Sequence, residues 1–220
     1  SIPVSDVHIE KKLNKTRAWV HETIVRAINF AKSHGLYVSC NAEDASRAHM
    51  EDLIVFTRIA KNAGADRLRF CDTVGILGPS QTAAKKETLR QEVNLPIEIH
   101  AHNDLGMATA NSLSAVLAGA RQVHCTINGI GERAGNASLE EIVMAIKTRK
   151  DVFGSFNTGI KTLEIFSTSR LVSNLTNFVV APNKAIVGRN AFAHESGIHQ
   201  DAILKKRSTY VIMDPHDVGI

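Results

Sequence analysis

The strongest constraint on this chain is a regular alternation of amphipathic helical pattern with short strand-like runs. The runs begin near Leu36, Arg67, Ile97 and Gln122, about thirty residues apart, the length of one strand-helix unit in a parallel α/β fold. Residues 16–33 place Trp19, Val20, Ile24, Ala27, Ile28 and Ala31 at three-to-four spacing, the signature of a helix with one apolar face. Gly35 stops that helix, Gly64 ends a second over 47–62, and Pro79 opens a third running to about Val93. A fourth spans about 107–117 and ends near Gly119. Ser138, with Glu141 three residues on, reads as a capping box opening a helix to about Arg149.

Strand-helix units at this period predict an α/β fold of the TIM (β/α)8 barrel type. The alternative is an open, doubly wound sheet, but the glycine-rich stretch Gly129 to Gly135 has one residue too many for the dinucleotide fingerprint. Four units are half a barrel, and the chain opens on a loop-like segment without an initiator Met. The expectation is therefore the C-terminal half of a barrel over residues 1–150. A four-stranded remnant would carry unpaired edges. Beyond Arg149, a loop at Phe153-Gly154-Ser155 and a helix over 163–174 lead to short strands and turns from Pro182. Residues 151–220 are expected to be a linker and a small α+β subdomain.

Composition narrows the function. The 220 residues are 44% hydrophobic and 22% charged, enough for a substantial core without disulfides. Cys40, Cys71 and Cys125 form no CxxC pair and lie in or beside short apolar runs, so they read as inert buried thiols in a reduced, cytoplasmic compartment. No run reaches the ~18 apolar residues of a membrane span, and residues 1–6 have no signal-peptide pattern. The net charge of +4 is spread along the chain and aromatic residues make up only 5%, which argues against a nucleic-acid groove. The absence of a G-x-S-x-G elbow and of a Walker loop argues against a serine esterase and a P-loop NTPase.

In such a barrel the chemistry collects at the carboxyl ends of the strands. Those ends carry Asn41 to Asp44, then Asp72 and Thr73, then His100 and His102 to Asp104, then Asn128 leading to Glu132, Arg133 and Asn136. His100 and His102 are two apart on a strand, so both imidazoles share a face. With a nearby amide and carboxylate they would suit Mn, Zn, Fe or Mg in mixed nitrogen and oxygen coordination. The alternative is a pair of core or surface histidines. Asp44 reads as an N-terminal cap for the helix over 47–62. His194 and His199, five apart around a Gly, do not form a zinc-protease helix, although either could act as an acid or base.

Three ordered motifs, His100 to Gly106, Asn128 to Asn136 and His194 to Asp201, together resemble the 2-isopropylmalate synthase and homocitrate synthase family. The resemblance implies a metal-dependent TIM barrel that condenses acetyl-CoA with a 2-oxo acid. It implies that His100 and His102 bind the divalent ion (Mn, Zn or Mg), with Asn136 at the metal or beside it, and that His100 also lines the substrate site. Thr73 matches the threonine holding the oxo-acid carboxylate and Glu43 a carboxylate at the acetyl-CoA end. His199 matches the histidine that takes part in enolising the acetyl group. Tyr210 matches a tyrosine reaching a neighbouring subunit's site, which implies a homodimer. The family's first-strand Arg-Asp pair, a metal ligand and a substrate guanidinium, is not in this chain, so these residues alone are expected to bind metal weakly and not to turn over. Motifs favour 2-oxoisovalerate, the leucine-pathway substrate; 2-oxoglutarate, as in homocitrate synthase, and pyruvate, as in citramalate synthase, are alternatives. So are a split subunit needing a partner chain and a lyase of the same barrel superfamily.

Overall fold

A computed structural model describes residues 1–154 and 156–220, so Ser155 of the expected loop lies outside the described residues. The chain divides into two compact units, residues 1–125 with 131–137, and residues 126–130 with 138–220.

The first unit is a parallel sheet of five strands in sequential order: β1 (Ile2–Pro3), β2 (Ser39–Glu43), β3 (Arg67–Asp72), β4 (Ile97–Ala101) and β5 (Gln122–His124). Four helices connect them: α1 (Arg17–Ser33), α2 (Met50–Asn62), α3 (Pro79–Glu92) and α4 (Ala108–Leu117). This is the α/β architecture expected, present as part of a barrel. Successive side chains of the strands point to opposite faces. Ala42, Leu68, Phe70, Ile97, Ile99 and Ala101 are buried on the face turned toward the helices, where α2 supplies Leu53, Phe56 and Ala60, α3 Leu89, and α4 Ala115 and Val116. The opposite face is polar. Register aligns Asn41, Arg69, Glu98 and Gln122 in one row across four strands, and Cys71, His100 and His124 in the row nearer the carboxyl ends.

The polar row is held by charge. Glu98 is fully buried between the Nε atoms of Arg69 at 2.9 Å and Arg67 at 3.3 Å. Two guanidiniums offset the desolvation of one carboxylate, so breaking the set leaves an uncompensated buried charge. On the helix side, Lys86 of α3 is completely buried. Its Nζ donates to the Glu98 carbonyl at 3.3 Å and lies 5.6 Å from the centre of the Phe70 ring. Burial pushes its pKa down to about 7.

Several expected boundaries shift for local reasons. Thr16 caps α1 by accepting from the Trp19 N–H at 3.2 Å. Residues 36–38 close that helix rather than open a strand: Gly35 turns with φ 70 and the Leu36 N–H donates to Ala31 O at 3.2 Å. Strand β2 therefore starts at Ser39, where pairing with Arg67 begins. The amino-terminal segment is not a loop. Ile2 and Pro3 pair with Ala42 and Glu43, and residues Val7–Lys12 form a turn of π-helix.

The second unit is helical, with α5 (Leu139–Thr148), α6 (Lys150–Phe153), α7 (Ile165–Thr176) and α8 (Gly197–Lys205). The short strands expected after Pro182 are absent among the described residues; turns and 3-10 segments take their place. Residue 150 lies inside this unit because Val143 and Met144 of α5 join Ile165, Val187 and Val218 in one apolar cluster. Ser138 occupies the N-cap of α5 without a side-chain cap bond. The expected capping box does not form; both of its side chains point to Lys184 instead, whose Nζ donates to the Ser138 hydroxyl at 2.6 Å and to the Glu141 carboxylate. No described helix is long and apolar enough to cross a membrane.

Candidate active site at the carboxyl ends of the strands

His100 and His102 project from β4 and the residue just past it, and their Nε2 atoms stand 3.2 Å apart. Adjacent nitrogen ligands on one ion, at bonds of about 2.1 Å, have a separation of roughly 3.0–3.4 Å. On its other side, His100 Nδ1 meets His124 Nδ1 of β5 at 3.0 Å. Of two neutral imidazoles in such a contact, one nitrogen carries the proton and donates while the other accepts; His124 was not singled out from the sequence. Its clue was present: β5 is one strand over and His124 is in register with His100. Burial lowers the pKa of all three rings, His100 to about 4. They are therefore neutral near pH 7, the form a metal requires.

Asn136 reaches the same place through the backbone. It forms an antiparallel bridge with His102, flanked by Asn103 N–H to Gly135 O at 2.9 Å and Ala137 N–H to Ala101 O at 3.3 Å. Gly131 makes room for it, since a Cβ there would lie 2.0 Å from Asn136 Nδ2. Among the described residues no group of three His, Cys, Asp or Glu side chains is arranged to hold a metal. The donors present are two imidazoles and an amide, the set that divalent ions with mixed nitrogen and oxygen preference accept.

Thr73 sits beyond β3 between two anchors. Its hydroxyl oxygen accepts from the Asp44 N–H at 2.8 Å, and its carbonyl accepts from Arg133 Nη2 at 2.7 Å. Arg133 in turn grips Asp104 at 2.7 and 3.0 Å, holding that carboxyl below the usual carboxylate range. Asp44 is not a helix cap. Helix α2 begins at Met50 with His49 at its N-cap, and Asp44 is buried with φ 61. Its carboxylate accepts from the Ser5 hydroxyl and from Arg47 Nε at 2.9 Å. Glu43, the last residue of β2, meets His8 Nδ1 at 3.0 Å through Oε1, which Lys12 Nζ also reaches. Ser5, His8 and Arg47 escaped the sequence reading because they lie 38 and 35 and 4 residues from Glu43 and no motif joins them.

Cys40 and Cys71 are buried free thiols, pushed up by burial to about 11 and about 12, which is the inert state expected of them. In the second unit, His199 and Tyr210 stack with ring centres 3.9 Å apart, and the His194 ring lies 6.0 Å from that of His199. Asn128 belongs to this unit too: it exchanges hydrogen bonds with Ser169 through both atoms of its amide.

Comparison with known proteins bears on the family and the fold. Residues 1–172 match the HMGL-like family and residues 186–220 the homocitrate synthase post-HMGL domain-like family. The chain is 53% identical over its whole length to 2-isopropylmalate synthase 2 of Caldanaerobacter subterraneus, covering 56% of that protein. It is 49% identical over 99% of its length to (R)-citramalate synthase of Methanocaldococcus jannaschii, covering 44% of that protein. The chain thus spans about half the length of the curated relatives it matches. In fold it is similar to the HMG-CoA lyase of Bacillus subtilis, with a TM-score of 0.72 and 20% identity over 86% of this chain and 64% of that one. A parallel α/β half-barrel with His100, His102 and Asn136 gathered at its strand ends, matched over 172 residues by one family, places this chain in the HMGL-like family.

Proposed function

We propose that the protein is an acyltransferase that condenses acetyl-CoA with a 2-oxo acid and releases CoA, with 2-oxoisovalerate as the substrate. The observation that carries this reading is the His100 and His102 pair, 3.2 Å apart at the strand ends, beside Asn136. Relatives named 2-isopropylmalate synthase and (R)-citramalate synthase support it, and the second keeps pyruvate as the competing substrate.

In this reading His100, His102 and Asn136 hold a divalent ion (Mn, Zn or Mg), which when bound supplies Lewis-acid polarisation of the ketone. The chain's own residues do the rest. Thr73 orients the substrate carboxylate: its oxygen already accepts from Asp44 N–H, so its proton is available to the substrate. Glu43 serves the acetyl-CoA end, and His199 with Tyr210 moves the methyl proton in the assembled homodimer. The methyl carbon forms a bond to the ketone carbon, and water then cleaves the thioester to release the thiol of CoA. The 220-residue chain by itself is proposed to lack turnover, because the family's Arg-Asp pair is not among its residues.

The test follows CoA release with a thiol reagent, using the protein that carries this chain, acetyl-CoA, Mn or Mg, and 2-oxoisovalerate, pyruvate or 2-oxoglutarate in turn. Release with one acid alone, abolished in His102→Ala, supports the reading and names the substrate. A folded, metal-binding protein that releases CoA with none of them would overturn it in favour of an accessory subunit or a lyase.

A further inference from the structure

A chain of polar side chains, fully buried only at Asp44, runs behind Glu43, and the reaction sequence above uses no side chain of it but that of Glu43 itself. Its far end is Asp44, fully buried, which fixes Arg47 by accepting from Nε at 2.9 Å and pairing with Nη2 at 2.8 Å. The same Nη2 lies 3.1 Å from His8 Nε2, and the opposite nitrogen of that ring, Nδ1, lies 3.0 Å from Glu43 Oε1. A guanidinium nitrogen can only donate. His8 Nε2 must therefore present its lone pair to Arg47, so the ring proton resides on Nδ1 and is donated to Glu43. Asp44 holds a left-handed backbone, φ 61, and such outliers persist where the surroundings determine them closely. The π-type turn that carries His8, closed by Leu13 N–H to His8 O at 3.0 Å, is a local distortion of the kind concentrated at functional sites.

We propose that His8 is a positioning residue for Glu43, locked by Arg47 as the neutral Nδ1–H tautomer so that it donates to Oε1 and leaves Oε2 to receive a proton. The role rests on the reading of Glu43 as a group at the acetyl-CoA end. Lys12, which also reaches Oε1, sits on the exposed side and holds the charge of the carboxylate; His8 sets its direction.

The tautomer is read directly by 15N NMR of the protein labelled at histidine nitrogen, near pH 7.5, with Arg47→Leu as comparison. The expected spectrum has a protonated Nδ1 and an unprotonated Nε2 for His8, with that preference relaxed in Arg47→Leu. A protonated Nε2, alone or in an imidazolium, overturns the proposal. Kinetics supply the second readout. His8→Leu is expected to lower kcat by roughly 10- to 100-fold while the KM for the 2-oxo acid stays within about twofold. His8→Asn, whose amide nitrogen hangs from Cγ as Nδ1 does, is expected to recover most of that loss. Equal kcat in His8→Leu and wild type, or no recovery with Asn, overturns the positioning role. If wild-type protein releases no CoA with any of the three oxo acids, the functional reading fails, and the spectrum still decides the His8 contact.

Discussion

Replacing Lys86 by Met should stabilise the protein, and by an amount that depends on pH. The Lys86 ammonium is enclosed between α3 and the sheet, with one carbonyl, Glu98 O, at 3.3 Å and the Phe70 ring as neighbours. Burial lowers its pKa from 10.5 to about 7, against the opposing pull of Glu98 and Cys71. Unfolding returns the group to 10.5, so between about pH 7 and 10.5 the unfolded chain binds a proton that the folded chain does not. Stability then rises with pH, by up to about 1.4 kcal/mol per unit. The penalty is fully present below about pH 7 and vanishes above 10.5. Taken over that interval it amounts to about 5 kcal/mol, of which the lost hydrogen bond to Glu98 O would return about 1. Urea denaturation of wild type and Lys86→Met at pH 6, 7.5 and 9.5 measures the difference. The variant should be more stable by a few kcal/mol at pH 6 and by about 1 kcal/mol or less at pH 9.5. A gain that does not change with pH, or a loss at pH 6, would refute the argument that this ammonium is held against its solvation.

Two further substitutions probe the site. Glu98→Gln removes the charge that Arg67 and Arg69 share and should cost about 3–5 kcal/mol of stability in the same denaturation assay, since two guanidiniums are left facing each other. Gly131→Ala places a methyl where Asn136 Nδ2 now lies, 2.0 Å away, and should weaken Mn binding by about 10-fold or more in calorimetric titration. Unchanged affinity would remove Asn136 from the donor set.

Much of the architecture was legible in the sequence because it rests on local and periodic physics. The apolar stripe of α1, the stop at Gly64 and the opening at Pro79 each depend on a few neighbouring residues, and all three lie where the spacing put them. The pairing of His100 with His102 was legible for the same reason: two residues apart on a strand means one face. Other features were hidden. β1 has only two residues, too few for any period, and exists because Ala42 and Glu43 offer it partners. Ser138 has the letters of a capping box, yet Lys184, 46 residues away, takes its hydroxyl.

The sequence by itself determined the parallel α/β plan, the polar strand ends and the histidine pair, because helix and strand periodicity and the i to i+2 rule act within a few residues. Tertiary structure alone decided which side chains from different strands meet. Register brought His124 beside His100 and Glu98 between two arginines, and chain folding placed His8 against Glu43, 35 residues on. Such pairings depend on how far apart in sequence two strands may lie and still be neighbours, which no local pattern encodes.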